Sequence, residues 1–133
     1  MATAPNYASG PRCGIVQATT ANTNRDGTGT IATVFTAGAS GSRIDKIDAA
    51  AVGTTTAGML RWYIHDGTNA RLLFETPVLA NTPSATLPAW RSTMQQNGAN
   101  PELFPILLPT GFSLRVSTNN TETFNCIATG GDF

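Results

Sequence analysis

Hydrophobic and polar residues alternate with a period of two through much of this chain, and few windows carry the period of a helix. The clearest case is residues 59–65, with Met59, Arg61, Tyr63 and His65 on one face and Leu60, Trp62 and Ile64 on the other. The second set is expected to point inward. Asp66-Gly67 supplies residues that tolerate positive φ in a tight hairpin, and residues 71–78 are expected to return as the partner strand. Residues 112–118 alternate Phe112, Leu114 and Val116 against Ser113, Arg115 and Ser117. Asn119-Asn120 then predicts a turn into residues 123–129, a second hairpin closing the domain.

Four further segments have strand character: 14–18, 30–36, 42–52 and 86–94. Within 30–36, Ile31, Thr33 and Phe35 alternate with Ala32 and Val34, whereas the odd spacing of Ile44 and Ile47 in 42–52 predicts a bulge. Pro83 and Pro88 push the 86–94 strand towards a sheet edge. Residues 19–28 are polar and turn-forming, and 97–109 read as a loop with a turn of helix at 101–104. About eight short strands without alternating helices argue for an all-β fold, a jelly-roll-like antiparallel β-sandwich over residues 13–133. Residues 1–12, with Pro5 and Pro11, read as an extended N-terminal arm.

Composition narrows the partners. A chain of 133 residues suits one domain with a real core. Only 12% of it is charged, about half the usual fraction, so the surface is expected to be neutral and rich in hydroxyls. Of the 8 basic residues all but Lys46 are Arg, and they are scattered, which argues against a phosphate-binding stripe and hence against nucleic acid as a partner. The start has neither a basic cluster nor an apolar stretch, and no run approaches the roughly 20 apolar residues of a spanning helix. A soluble protein without a membrane partner is expected. Cys13 and Cys126 have apolar flanks and lie at opposite ends of the chain, which predicts two buried free thiols rather than a disulfide framework.

Several short motifs imitate chemistry. Gly27-Thr28-Gly29-Thr30-Ile31-Ala32 has the letters of a dinucleotide fingerprint but opens a strand where a helix is required. Asn22, Asn24, Asp26 and Gly27 imitate the first half of a calcium loop, yet Thr33 stands where a bidentate Glu is needed. His65 is the only histidine and reads as a strand-end side chain, with Asp66 as a candidate hydrogen-bond partner. One histidine, three Glu and no Cys-x-x-Cys leave a zinc site short of ligands, and no nucleophile elbow is present. The carboxylate pairs Asp45/Asp48 and Asp66/Glu75 read as solvated edges or inter-subunit ion pairs. No catalytic, cofactor or metal site is therefore expected.

One longer pattern remains. It runs through Gly41-Ser42-Arg43-Ile44-Asp45-Lys46-Ile47, Gly53-Thr54-Thr55-Thr56-Ala57-Gly58-Met59-Leu60-Arg61 and Ile64-His65-Asp66-Gly67-Thr68-Asn69. It continues in Thr82-Pro83-Ser84-Ala85-Thr86, Leu114-Arg115-Val116-Ser117-Thr118 and Gly130-Gly131-Asp132-Phe133. Over roughly residues 28–133 the chain resembles a family of small structural proteins of tailed bacteriophages and prophages. The resemblance implies a jelly-roll-like capsid decoration or cement protein, with a tail or fibre component as the alternative.

Such a protein binds across neighbouring subunits of the major capsid protein, so its function is interface area and multivalency rather than catalysis. The resemblance implies a virion protein on the capsid surface, assembled in the bacterial host cytoplasm. A homo-oligomer is expected, a dimer before a trimer, because two-fold pairs are the commonest closed assemblies. Tyr7, Arg12 and Trp90 are the candidate interface residues, since Tyr, Trp and Arg are enriched at interface cores. The arm is expected to grip a neighbouring subunit and to add little to the domain's own fold. The rival expectation is a carbohydrate- or receptor-binding module using exposed Trp90, Tyr7 or Tyr63.

Overall fold

Strands in which every second side chain is apolar gain stability only when those side chains meet across a second layer. In the computed structural model, which describes residues 9–95 and 103–133, nine strands do this. They are β1 (Gly10–Ala18), β2 (Ala32–Thr36), β3 (Ser42–Ala51), β4 (Gly58–His65), β5 (Ala70–Val78), β6 (Arg91–Gln95), β7 (Ile106–Leu108), β8 (Ser113–Thr118) and β9 (Phe124–Asp132). One sheet has the order β1-β9-β3-β6, with β7 also pairing β3, and the other the order β2-β8-β4-β5. Every strand pairing is antiparallel. Setting the short β7 aside, this is the strand order of a jelly roll, and the expected all-β sandwich is the fold.

The β4–β5 hairpin and the bulge in β3 match the sequence expectation. His65 pairs Ala70 across a turn containing Gly67 at φ 95°, and the β3–β9 register shifts between Ile44 and Lys46. Four expectations change. The proposed second hairpin is an arch between the layers, because β8 pairs β2 and β4 while β9 pairs β1 and β3. Residues 10–12 belong to β1, where Gly10, Pro11 and Arg12 pair Asp132, Gly131 and Gly130, so this part of the expected arm is sheet. The edge strand β6 begins at Arg91, after Pro88, and the expected 97–109 loop contains β7. Residues 1–8 of the arm, with Tyr7, and residues 101 and 102 of the proposed helical turn lie outside the described residues.

The core fills the space between the sheets. Phe35, Ile44, Ile47, Leu60, Trp62, Phe74, Met94, Leu114, Val116, Phe124 and Cys126 are buried there. Trp62 stacks on Phe74 at 5.8 Å, and its indole N–H donates to Thr76 Oγ1 at 3.0 Å, so the largest apolar side chain enters the core with its polar atom satisfied. In β2 a register shift between Thr33 and Phe35 lets Val34 and Phe35 both be buried, breaking the simple alternation.

Two glycines test this geometry. A Cβ on Gly130 would lie 1.8 Å from the Arg43 carbonyl oxygen, so Gly130→Ala should cost about 2 kcal/mol or more through forced separation of β3 and β9. Gly67→Val should cost about 1–2 kcal/mol, because a β-branched residue resists positive φ. Thermal unfolding followed by circular dichroism checks both, and melting temperatures equal to the parent's would contradict this account.

Candidate functional site

Strand β4 is buried on both faces, and this decides which side chains are free to act. Leu60 and Trp62 face the core, as expected, but Arg61 and Tyr63 on the other face are also buried. The polar connection between β1 and β2 covers them. Arg61 donates to the Asn22 carbonyl and to Asn119 Oδ1, both at 3.1 Å, and the Tyr63 hydroxyl donates to the Asn24 carbonyl at 2.8 Å. Glu75, opposite Arg61 on β5, pairs Arg25 of the same connection and lies 3.8 Å from Arg61 Nε. Tyr63 is therefore not an exposed aromatic, and the rival reading loses it.

Arg12 is likewise engaged within the domain. Its guanidinium donates to both oxygens of Asp132 at 2.9 Å and to the Thr36 carbonyl at 3.0 Å, and it sits 4.7 Å over the Phe35 ring. Ser42 Oγ donates to the same Asp132 carboxylate. The cluster ties the end of β9 to β1, β2 and β3. His65 Nδ1 accepts from the Gly67 amide, while Asp66 accepts from the Thr68 and Asn69 amides, so the expected His65–Asp66 bond is replaced by two separate turn contacts. Both cysteines are free, but Cys13 is exposed and only Cys126 is buried, which corrects the expectation of two buried thiols. Parity explains it: Cys13, like Ile15, falls on the outward face of β1.

Trp90 is the sequence candidate that the fold leaves available. Partly buried just before β6, it packs edge-on against Phe124 at 5.7 Å. It lines a groove of about 440 Å³ together with Glu75, Thr76, Pro77 and Leu79 from the β5 side and Arg91 and Ser92 from β6. The two sheets end at β5 and β6, so the groove is the open side of the sandwich. On the opposite side β1 and β2 close on each other so tightly that a Cβ on Gly14 would meet the Val34 carbonyl oxygen at 2.2 Å. Sequence reasoning missed Pro77, Leu79 and Arg91 as Trp90's neighbours. The available signals were Pro77, which marks an edge strand, and the uncharged run from Thr76 to Trp90.

The acids are organised as fold-stabilising groups. Hydrogen bonds from Ser42 and Arg12 hold the Asp132 carboxyl below its ordinary value, and the Arg25 bond does the same for Glu75 against the opposing effect of burial. Amides of Asn69 and Thr68 lower Asp66, and Thr28 lowers Asp26. Burial pushes Asp48 up, but Thr93, Arg91 and Lys46 together bring it below its ordinary value. The suspected pairs Asp45/Asp48 and Asp66/Glu75 are thus committed to partners within the chain. Burial pushes the Cys126 thiol up to about 12, which removes it as a nucleophile at neutral pH. Among the described residues no group of three or more His, Cys, Asp and Glu side chains is placed to hold a metal ion. What the arrangement offers is a surface: an aromatic and aliphatic groove with one acid and one base at its rim. Compared with known proteins, the chain matches no family model and no curated sequence.

Two predictions follow from the ion pairs. Glu75→Ala should destabilise by about 1–2 kcal/mol, less than the several kcal/mol of a fully buried pair because Glu75 keeps some solvent contact, while Arg43→Ala, which breaks a pair with exposed Asp45, should cost under about 0.5 kcal/mol. Denaturant unfolding at neutral pH measures the difference, and equal costs would contradict the clasp around Arg61. The lowered carboxyls also set a pH dependence. Their stabilisation is complete above their ordinary values, which lie near 3.8 for Asp and 4.5 for Glu, and is lost as pH falls through the lower folded-state values. Stability should hold down to about pH 5 and then decline, with a shallower decline in Asp132→Asn; an unchanged acid limb in that variant would rule out Asp132 as a contributor.

Proposed function

We propose that this protein is a non-enzymatic structural component of a tailed-phage virion that binds the outside of the capsid and bridges subunits of the major capsid protein. The observation that carries the reading is the jelly-roll strand order, an architecture that recurs in viral capsid and lectin domains. Fold alone supports a class of roles; the residue runs that resemble phage structural proteins direct the choice within it. The charge arrangement supports a protein partner over a phosphate one, since Arg12, Arg25, Arg43, Lys46, Arg61 and Arg91 are all engaged by acids of the same chain. A neutral surface of hydroxyls and amides suits broad contacts in which polar groups find hydrogen-bond partners.

A second reading, a tail or fibre module that binds carbohydrate, is favoured by one observation, the exposure of part of Trp90 in the groove. Binding of purified protein to expanded, undecorated capsids separates the two. Saturable binding that raises the temperature of capsid disruption is the expected result. Absence of saturable binding, together with glycan binding that is lost in Trp90→Ala, would replace the capsid role with the carbohydrate one.

A further inference from the structure

The groove at the open side of the sandwich has the composition of a protein contact. Leu79, 67% exposed, lines it with exposed Pro77 and partly buried Trp90. From Thr76 to Trp90 the chain carries no charge, and the run is bounded by Glu75 and Arg91, one acid and one base. Isolated exposed leucines are ordinary, but an apolar patch with a polar rim marks an interaction site.

We propose that this groove is a two-fold contact with a second copy of this chain. A two-fold interface is self-complementary: whatever residue i meets, its partner meets in return. A patch of one sign would repel itself across the axis. Here the centre is neutral and the ends are opposite, so Arg91 of each copy meets the Glu75 end of the other, twice per dimer. Among the described residues Arg91 uses one donor, on Asp48 at 3.3 Å, and a carboxylate paired with Arg25 still has acceptor sites. A formal net charge of zero adds no long-range repulsion between copies.

The contact closes at two copies because Pro77 in the edge strand β5 supplies no backbone N–H. The edge does not template a continuing intermolecular sheet, and side chains rather than strand ladders make the interface.

Sedimentation equilibrium over a range of concentrations tests the proposal. The full chain should weigh twice its 13.9 kDa, and Leu79→Glu should weaken the dimer at least tenfold with an unchanged melting temperature and circular dichroism spectrum. Arg91→Glu should weaken it as well. Ile15→Glu, at a residue 69% exposed on the opposite edge strand β1, should leave the dimer intact. A monomer at about 100 μM, a trimer, or a dimer broken by Ile15→Glu and not by Leu79→Glu overturns the assignment. So does a monomeric chain that binds a glycan through Trp90. The proposal stands apart from the capsid role: a monomer that still saturates capsids overturns the dimer alone, whereas a dimer that ignores capsids leaves the contact in place and removes that role.

Discussion

Burial of both faces of β4 is the constraint on which the rest of the molecule depends. Trp62 and Tyr63 are neighbours in sequence, point in opposite directions, and are both inaccessible. Trp62 stacks on Phe74 and donates to Thr76 of its own sheet, whose hydroxyl reaches Met94 of the other, while Tyr63 and Arg61 need a cover on the outer face, which the polar β1–β2 connection provides. A buried guanidinium is costly unless its donors are satisfied. The carbonyl of Asn22 and the side-chain oxygen of Asn119 satisfy two of them, and Glu75 supplies the opposing charge. The connection that resembled a calcium loop is instead a lid for Arg61 and Tyr63, and its Asx turns at Asn22 and Asp26 hold it in that shape.

Much of this was legible in residue order, and what was not has a physical reason. Period-two alternation identified β4 and β8, the Asp66-Gly67 turn implied β5 as the partner of β4, and the spacing of Ile44 and Ile47 marked the β3 bulge, because these signals are local. The arch between β8 and β9 was read as a hairpin because Asn119-Asn120 gives the same turn chemistry whether the next strand joins the same sheet or the other one. Sheet membership is set by long-range pairing with β1 and β3, which no local window contains. Strand β7, three residues between Pro105 and Pro109, is too short for alternation to register. The inward set of β4 was legible, but the cover over Arg61 and Tyr63 was not, since it comes from a segment some forty residues away in sequence. Trp90 stood out as an aromatic; its groove did not, because the groove arises only when β5 and β6 end their respective sheets.

The two sides of the sandwich solve the problem of free edges differently. At β1 and β2 a glycine, Gly14, allows the layers to touch, and Arg12 over Phe35 with Asp132 and Ser42 seals one end of that seam. At β5 and β6 Thr76 bridges Trp62 and Met94 deep inside, Phe104 packs edge-on against Phe74, and the groove lies between the walls outside them. Natural edge strands are blunted by proline or charge to prevent uncontrolled pairing. Here Pro77 marks β5 and Arg91 opens β6, so the edge is protected against sheet extension while remaining apolar enough to pack.

That combination bears on how such a domain works. Most of its charged side chains among the described residues are held by partners in the same chain, which fixes strand ends and the β1–β2 connection but leaves few free charges to steer a distant partner. Association under those conditions relies on shape, apolar area and satisfied hydrogen bonds, and it gains strength from repetition rather than from any single contact. The proposed capsid role would use this, since on a fixed lattice each weak contact raises the effective concentration of the next. Under the proposed capsid role, a dissolved small molecule bound once would gain nothing from such repetition.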